Sequence, residues 1–190
     1  MDSKSVSLIE YLTNKFLNLN SKQTLLEKIV QIHDKKINIT KLAKTLIEKS
    51  DCTKIDNTIG QKLLIKATYA NDLDLVKALH DKGVKLGTKD LLGRTSLHHA
   101  IKAGAGKDLI EFLIDNADID INACDKSGST LMHWAVNSHH IPAIKLLQTK
   151  KADYFTPDYL EQTPLKLAEY YGHDDVIELL AENSSAGYYV

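Results

Sequence analysis

The side chains with the most chemical potential in this sequence are its eight histidines. His98 and His133 stand in matching contexts, Thr95-Ser96-Leu97-His98 and Thr130-Leu131-Met132-His133. Two ligands of one zinc ion must each lie about 2 Å from the metal. Equivalent residues on neighbouring packed helices are separated by an interaxial distance of about 8–10 Å. His98 and His133 therefore cannot share an ion. His139 and His140 fall in a turn and could hold a metal weakly, but nothing nearby completes a tetrahedral set. His99 and Trp134 occupy equivalent positions one segment apart and are expected to pack rather than react. No metal ion and no cofactor are expected.

Gly104-Ala105-Gly106-Lys107 has the outline of a phosphate-binding loop. That loop requires a glycine five residues before Gly106 and a Ser or Thr after the lysine. Those positions hold Ile101 and Asp108, and the match fails. The sequence also lacks a Gly-x-Ser-x-Gly elbow and a His-Glu-x-x-His pair. Catalysis by an unfamiliar site is the remote alternative, and it would need a deep polar pocket with titratable groups. Composition excludes further classes. The 190 residues carry 24 basic and 25 acidic side chains, so there is no electrostatic footprint for nucleic acid. Only Arg94 is an arginine, which leaves forked phosphate or guanine recognition nearly without means. Cys52 and Cys124 are too few for a disulfide framework. No stretch approaches the roughly 18 apolar residues of a membrane span. Lys4, Glu10 and Lys15 interrupt the apolar runs a secretory signal would need. A soluble, monomeric protein of a reducing compartment such as the cytoplasm is expected, and the glycosylation triplets at Asn38 and Asn183 are not expected to be used.

Internal repetition carries most of the information. Thr95–Ala100, Thr130–Ala135 and Thr163–Ala168 stack into one pattern, with a weaker copy at Lys62–Ala67. A second apolar segment follows each: Leu75–Leu79, Leu109–Leu113, Ile144–Leu147 and Val176–Leu180. Polar loops then end at Asp90, Asp125 and Asp158. The first segments place apolar residues at helical spacing. Four residues after each alanine stand Asn71, Gly104, His139 and Gly172, residue types that tolerate a left-handed backbone. This spacing predicts a short helix, a left-handed C-cap and a second helix. Thr163 and Pro164 read as an N-cap and first helical residue. The second of the four copies, beginning at Thr95, holds two extra residues, expected in the Ala103–Lys107 turn and the Ala117–Asp125 loop. A single helix pair cannot bury both its faces, so neighbours must stack.

The pattern resembles the ankyrin repeat, Asp-x-x-Gly-x-Thr-Pro-Leu-His-x-Ala, over about residues 57–183. Asp90, Gly93, Thr95, Leu97, His98 and Ala100 carry one match. Asp125, Gly128, Thr130, His133 and Ala135 carry the next, and Asp158, Thr163, Pro164, Leu165, Ala168, Gly172 and His173 the last. Lys166 replaces the usual histidine there. The resemblance implies an all-α solenoid of about four helix-turn-helix repeats (58–90, 91–125, 126–158 and 159–183). It also implies that His98 and His133 are structural, hydrogen-bonding within and between repeats. Partners would dock on a concave face of loop tips and first helices. Mapped onto this chain, that face comprises Tyr69, Leu91, Leu92, Arg94, Lys102, Lys126, Ser129, Asn137, Tyr159, Leu160, Tyr170 and Tyr171. Large apolar groups at loop tips mark interaction surface, unless Leu91 or Leu160 folds back on its own repeat. Asn122 resembles the loop asparagine that asparaginyl hydroxylases modify in ankyrin proteins; a plain turn role is the alternative.

Residues 1–57 differ in character. They hold 10 basic and 7 acidic residues (net +3), leaving 14 basic and 18 acidic (net −4) for the remainder. Leu8, Leu12, Phe16 and Leu19 predict one amphipathic helix, Leu25, Leu26, Ile29 and Ile32 a second, and Ile39, Leu42, Ala43, Leu46 and Ile47 a third. This extension is expected to cap the first repeat; a separate binding module or degenerate repeat are the alternatives. The tail, 184–190, is expected to dock on the last repeat or to stay free for recognition. The functional expectation is a non-catalytic protein-binding module, an adaptor or effector with an unidentified protein partner. A competitive inhibitor acting through the concave face is the alternative. Richness in lysine, asparagine and isoleucine suggests an AT-rich genome, and delivery into a host cell if the source is an intracellular bacterium or a virus.

Overall fold

The computed structural model describes residues 57–185, together with Thr40, Ala43, Lys44, Ile47 and Ile55. The chain forms two compact units, Met1–Leu86 and Gly87–Val190. Within the first, α1 (Asn57–Tyr69) and α2 (Leu73–Asp81) pack as an antiparallel pair. Leu63, Leu64, Ala67, Leu75, Val76 and Leu79 are fully buried, the leucines and Val76 each contributing about 1.5–3 kcal/mol of transfer free energy. Asp72 caps α2 by accepting the Leu75 amide at 3.0 Å. Ala43, Ile47 and Ile55 are buried too, and Lys44 Nζ meets Asp74 at 2.7 Å. The first two amphipathic stripes expected in the N-terminal extension, and most of the third, lie outside the described residues. So do Cys52, Asn38 and the last five tail residues, 186–190.

The second unit holds three helix pairs: α3 (Ser96–Lys102) with α4 (Lys107–Asn116), α5 (Leu131–Asn137) with α6 (Ile141–Thr149), and α7 (Pro164–Tyr171) with α8 (Asp174–Ser185). First helices stack on first helices, α3 on α5 and α5 on α7, while α4 packs against α6. Leu97, Ala100, Ile101, Leu131, Ala135, Ile144 and Leu147 are fully buried between them. Among the described residues there is no strand, only an isolated bridge between Cys124 and Thr130. The predicted left-handed C-caps are present at all four positions, with φ of +52° at Asn71, +69° at Gly104, +49° at His139 and +67° at Gly172. Thr163 accepts the Lys166 amide, with Pro164 at the head of α7.

One expected insertion lies where the spacing puts it, in the turn before Lys107. The other does not. α4 runs 10 residues where α2 and α6 run 9, so the Ala117–Asp125 loop keeps the length of its counterparts. The exit from α4 differs as well. α2 and α6 are followed by left-handed Gly83 and Lys151, whereas α4 ends in extended Ala117 (φ −87°, ψ 130°).

The loops before α3, α5 and α7 each turn through a left-handed residue three positions after the aspartate: Gly93, Gly128 and Glu161. A Cβ at Gly128 would lie 2.9 Å from the Tyr159 amide nitrogen, where backbone must move. At Glu161 a side chain is carried at φ +61°, a conformation that costs a non-glycine residue about 1 kcal/mol. Gly128→Ala is expected to lower stability by more than about 1 kcal/mol, and Glu161→Gly to raise it by about 0.5–1 kcal/mol. Denaturant unfolding of the two variants checks both signs.

Candidate functional site: the loop tips and first helices of residues 87–185

Each loop of the second unit is organised by its aspartate. Asp90 Oδ1 accepts the amides of Leu92 and Arg94 at 2.8 and 3.0 Å. Asp125 Oδ1 does the same for Ser127 and Ser129 at 2.8 and 3.1 Å, and Asp158 Oδ1 for Leu160 and Gln162 at 2.9 and 3.0 Å. The turns are then linked in series. The Lys126 amide donates to the Leu92 carbonyl at 2.9 Å, and the Tyr159 amide to the Ser127 carbonyl at 3.0 Å. The loop tips thus form one hydrogen-bonded row.

The second carboxylate oxygen reaches back to the helix that follows. His99 Nε2 lies 3.1 Å from Asp90 Oδ2, and Trp134 Nε1 donates to Asp125 Oδ2 at 3.0 Å. Arg94 also donates to Asp90 Oδ2, from Nε at 2.9 Å, with Nη2 at 2.8 Å. The Asp90 carboxyl is desolvated, which alone would raise its pKa. Hydrogen bonds from Arg94, the Leu92 amide and His99 overcome this and hold it at about 2. Asp125 is likewise lowered, burial being outweighed by bonds from Ser127, Trp134 and Ser129. His99 and Trp134, expected only to pack, are ring donors that tie loop to helix.

Four further histidines also do structural work. His98 Nδ1 accepts the Thr95 amide at 3.1 Å, and His133 Nδ1 the Thr130 amide at 3.1 Å, each closing a capping box. An accepting Nδ1 puts the proton on Nε2. That atom of His133 donates to the Gln162 carbonyl at 2.9 Å, a bond between repeats. Among the described residues Nε2 of His98 has no partner, and its ring meets the Trp134 ring edge-on at 5.9 Å. The weak metal site entertained for His139 and His140 is not formed. His140 Nε2 donates to the Ala105 carbonyl at 2.9 Å while its Nδ1 caps α6. His139 Nε2 is paired with Asp175 at 2.8 Å. Among the described residues no three ligands converge.

Of the residues mapped to a docking face, Leu91, Tyr159, Leu160 and Tyr170 are 89%, 75%, 78% and 74% exposed. Leu92 and Tyr171 are exposed as well; neither Leu91 nor Leu160 folds back. Tyr69 is exposed in the first unit. Lys102 and Asn137 end α3 and α5, and Lys126 and Ser129 lie in the loop before α5. Arg94 is half-buried on Asp90, and both its guanidinium (6.0 Å) and Lys102 Nζ (5.6 Å) approach the Trp134 ring centroid. The structure thus draws Arg94, Lys102, Ser129 and Asn137 around an indole absent from the mapping. A groove of about 200 Å³ opens beside it, lined by Asp125, Ser127, Ser129, His133, Trp134, Asn137, Asp158 and Leu167. Exposed Phe155, tilted against Tyr154 at 4.4 Å, was also outside the expectation. Asn122 is exposed, and its side-chain oxygen accepts the Asp153 amide at 2.8 Å, joining two successive loops.

Stacked pairs of short antiparallel helices, separated by aspartate-anchored turns, define a helix-turn-helix solenoid. The family model for ankyrin repeats (three copies) matches residues 30–123 and 106–188; the chain belongs to the ankyrin-repeat family. It is 97% identical over 183 residues to a Rickettsia bellii protein named as an ankyrin repeat protein, covering 96% of this chain and 100% of that one. A similarly named Rickettsia felis protein is 46% identical over 184 residues, and the chain spans 44% of its length. An ankyrin repeat protein of fowlpox virus is 28% identical over 100 residues, 44% of this chain and 19% of the viral one. Ankyrin repeats are in general non-catalytic modules for binding other proteins. Among the described residues no helix is long and apolar enough to cross a membrane.

Two predictions follow from the ring donors and the buried histidine. Trp134→Phe leaves Asp125 Oδ2 without its donor and is expected to cost about 1–3 kcal/mol. Trp134→His, which copies the His99 arrangement, should lose less; chemical denaturation compares them. Desolvation, partly offset by Asp125, lowers the His98 pKa from 6.5 to about 4, so the unfolded chain takes up a proton first. Stability should therefore fall as the pH drops from about 6.5 towards 4, and fall again towards 2 as Asp90 protonates. His98→Gln should flatten the first slope, with His99, also lowered mainly by burial, supplying the remainder. Thermal midpoints across pH read this directly.

Proposed function

We propose that this chain is an adaptor or effector that grips a target protein through the loop tips and first helices of residues 87–185, with no chemistry of its own. One observation carries the reading. Leu91, Leu92, Tyr159 and Leu160 stand exposed along a row of loops fixed by backbone hydrogen bonds, with Tyr170 exposed on α7. Exposed apolar surface of this kind marks interaction sites. Tyrosine contributes contact area at low entropic cost, and a pre-ordered row loses little further freedom on binding. The groove supports a binding role rather than proton transfer. Asp125 and His133 face it with their polar atoms already engaged. Relatives in Rickettsia and a poxvirus support action inside a host cell, in its cytoplasm.

The test is affinity capture from host-cell lysate with the intact chain and with Tyr159→Ser/Leu160→Ser. The variant should recover at least about tenfold less partner, the loss of two hot-spot side chains, with its thermal midpoint near that of the parent. Equal recovery at equal stability would remove this face from the account.

A further inference from the structure

The three repeats of the second unit are not equivalent in one respect. Nine residues after the loop aspartate, the first helix carries His99 for Asp90 and Trp134 for Asp125, each giving a ring N–H to Oδ2. Nine residues after Asp158 stands Leu167, which has no donor. Asp158 Oδ1 holds its two loop amides as its counterparts do, but among the described residues no group donates to Oδ2. Asp158, Leu167 and Trp134 all line the groove. The groove therefore combines a carboxylate oxygen lacking a protein donor, an indole and an aliphatic wall.

We infer that this notch between the third and fourth repeats receives one arginine or lysine side chain of the target protein, its cation on Asp158 Oδ2 and its stem along Trp134 and Leu167. The inference rests on the proposed protein-binding role of this face and adds the chemistry of an anchor. A carboxylate accepts charge-assisted N–H bonds roughly twice as strong as neutral ones, and an indole attracts a cation. Size decides against a cofactor or drug-like molecule. Such ligands occupy about 300–1,000 Å³, whereas the notch measures about 200 Å³, the scale of a single side chain. Arg94 and Lys102 reach the same indole from the preceding repeat, and Arg94 is neutralised there by Asp90. The incoming cation occupies the Leu167 side.

Trp134 is the single tryptophan of the chain, so its fluorescence reports on this notch. The full chain is titrated into the millimolar range with N-acetyl-arginine amide, N-acetyl-lysine amide, the neutral isostere N-acetyl-citrulline amide and N-acetyl-glutamate amide, at constant ionic strength. Arginine or lysine should change the emission saturably, with citrulline about tenfold weaker and glutamate inert. Asp158→Asn should weaken the arginine response about tenfold, the loss of one charged hydrogen bond. Leu167→His, which restores the ring donor of the other repeats, should abolish it. Equal responses to arginine and citrulline, a response to glutamate alone, no response to either cation, or an arginine response unchanged by Asp158→Asn would each overturn the inference. Partner capture separates this from the broader reading. Recovery lost with Leu160→Ser but unchanged by Asp158→Asn keeps the docking face and rejects the notch.

Discussion

The loop aspartate is the constraint on which the second unit depends. A solenoid of short helices must expose its connections, and an exposed connection is ordinarily mobile because its backbone groups bond to water. Here one carboxylate closes each turn by accepting two amides of its own loop, and in two repeats it also pins that loop to the next helix through a ring N–H. Charge-assisted bonds of this type are short and strong. Because successive turns also exchange backbone hydrogen bonds, order established at one aspartate passes to the next. Leu91, Tyr159 and Leu160 can therefore face water without the backbone beneath them collapsing.

Helix ends follow the same logic of local satisfaction. Thr95 and Thr130 are capped reciprocally with His98 and His133, so a buried imidazole is present to complete a backbone and not to react. The last repeat has Lys166 in place of that histidine, so α7 is closed by the Thr163 hydroxyl without an imidazole. The hydrogen bond of His139 with Asp175, and the stacking of His139 on His173 at 4.2 Å, join the third repeat to α8 where no further repeat follows in the described residues.

Much of this was legible in the sequence, and the reason is periodicity. Asn71, Gly104, His139 and Gly172 identify left-handed caps because each recurs four residues after a buried alanine and each tolerates positive φ. The helix pairs followed from apolar spacing, and the ankyrin resemblance from Asp90, Asp125 and Asp158 with their threonines. The ring donors were not read, although the signal was present: both His99 and Trp134 carry an N–H nine residues after an aspartate. Treating the aspartates as loop punctuation concealed that they are acceptors with two oxygens to satisfy. Glu161 was illegible for the opposite reason, since its left-handed backbone is imposed by the row of loops and not by its own preference. The extra residue in α4 is not legible, because spacing alone cannot say whether a helix or its exit absorbs an insertion.

The central claim is that the aspartates order the loop row, and amide hydrogen exchange measures it most directly. In Asp125→Ala, the amides of Ser127 and Ser129 and the Trp134 indole N–H should exchange about tenfold faster or more. The Tyr159 amide, bonded to the Ser127 carbonyl, should follow them. Exchange at these four sites unchanged from the parent chain would contradict the account, since the turns would then be held by something other than the carboxylate.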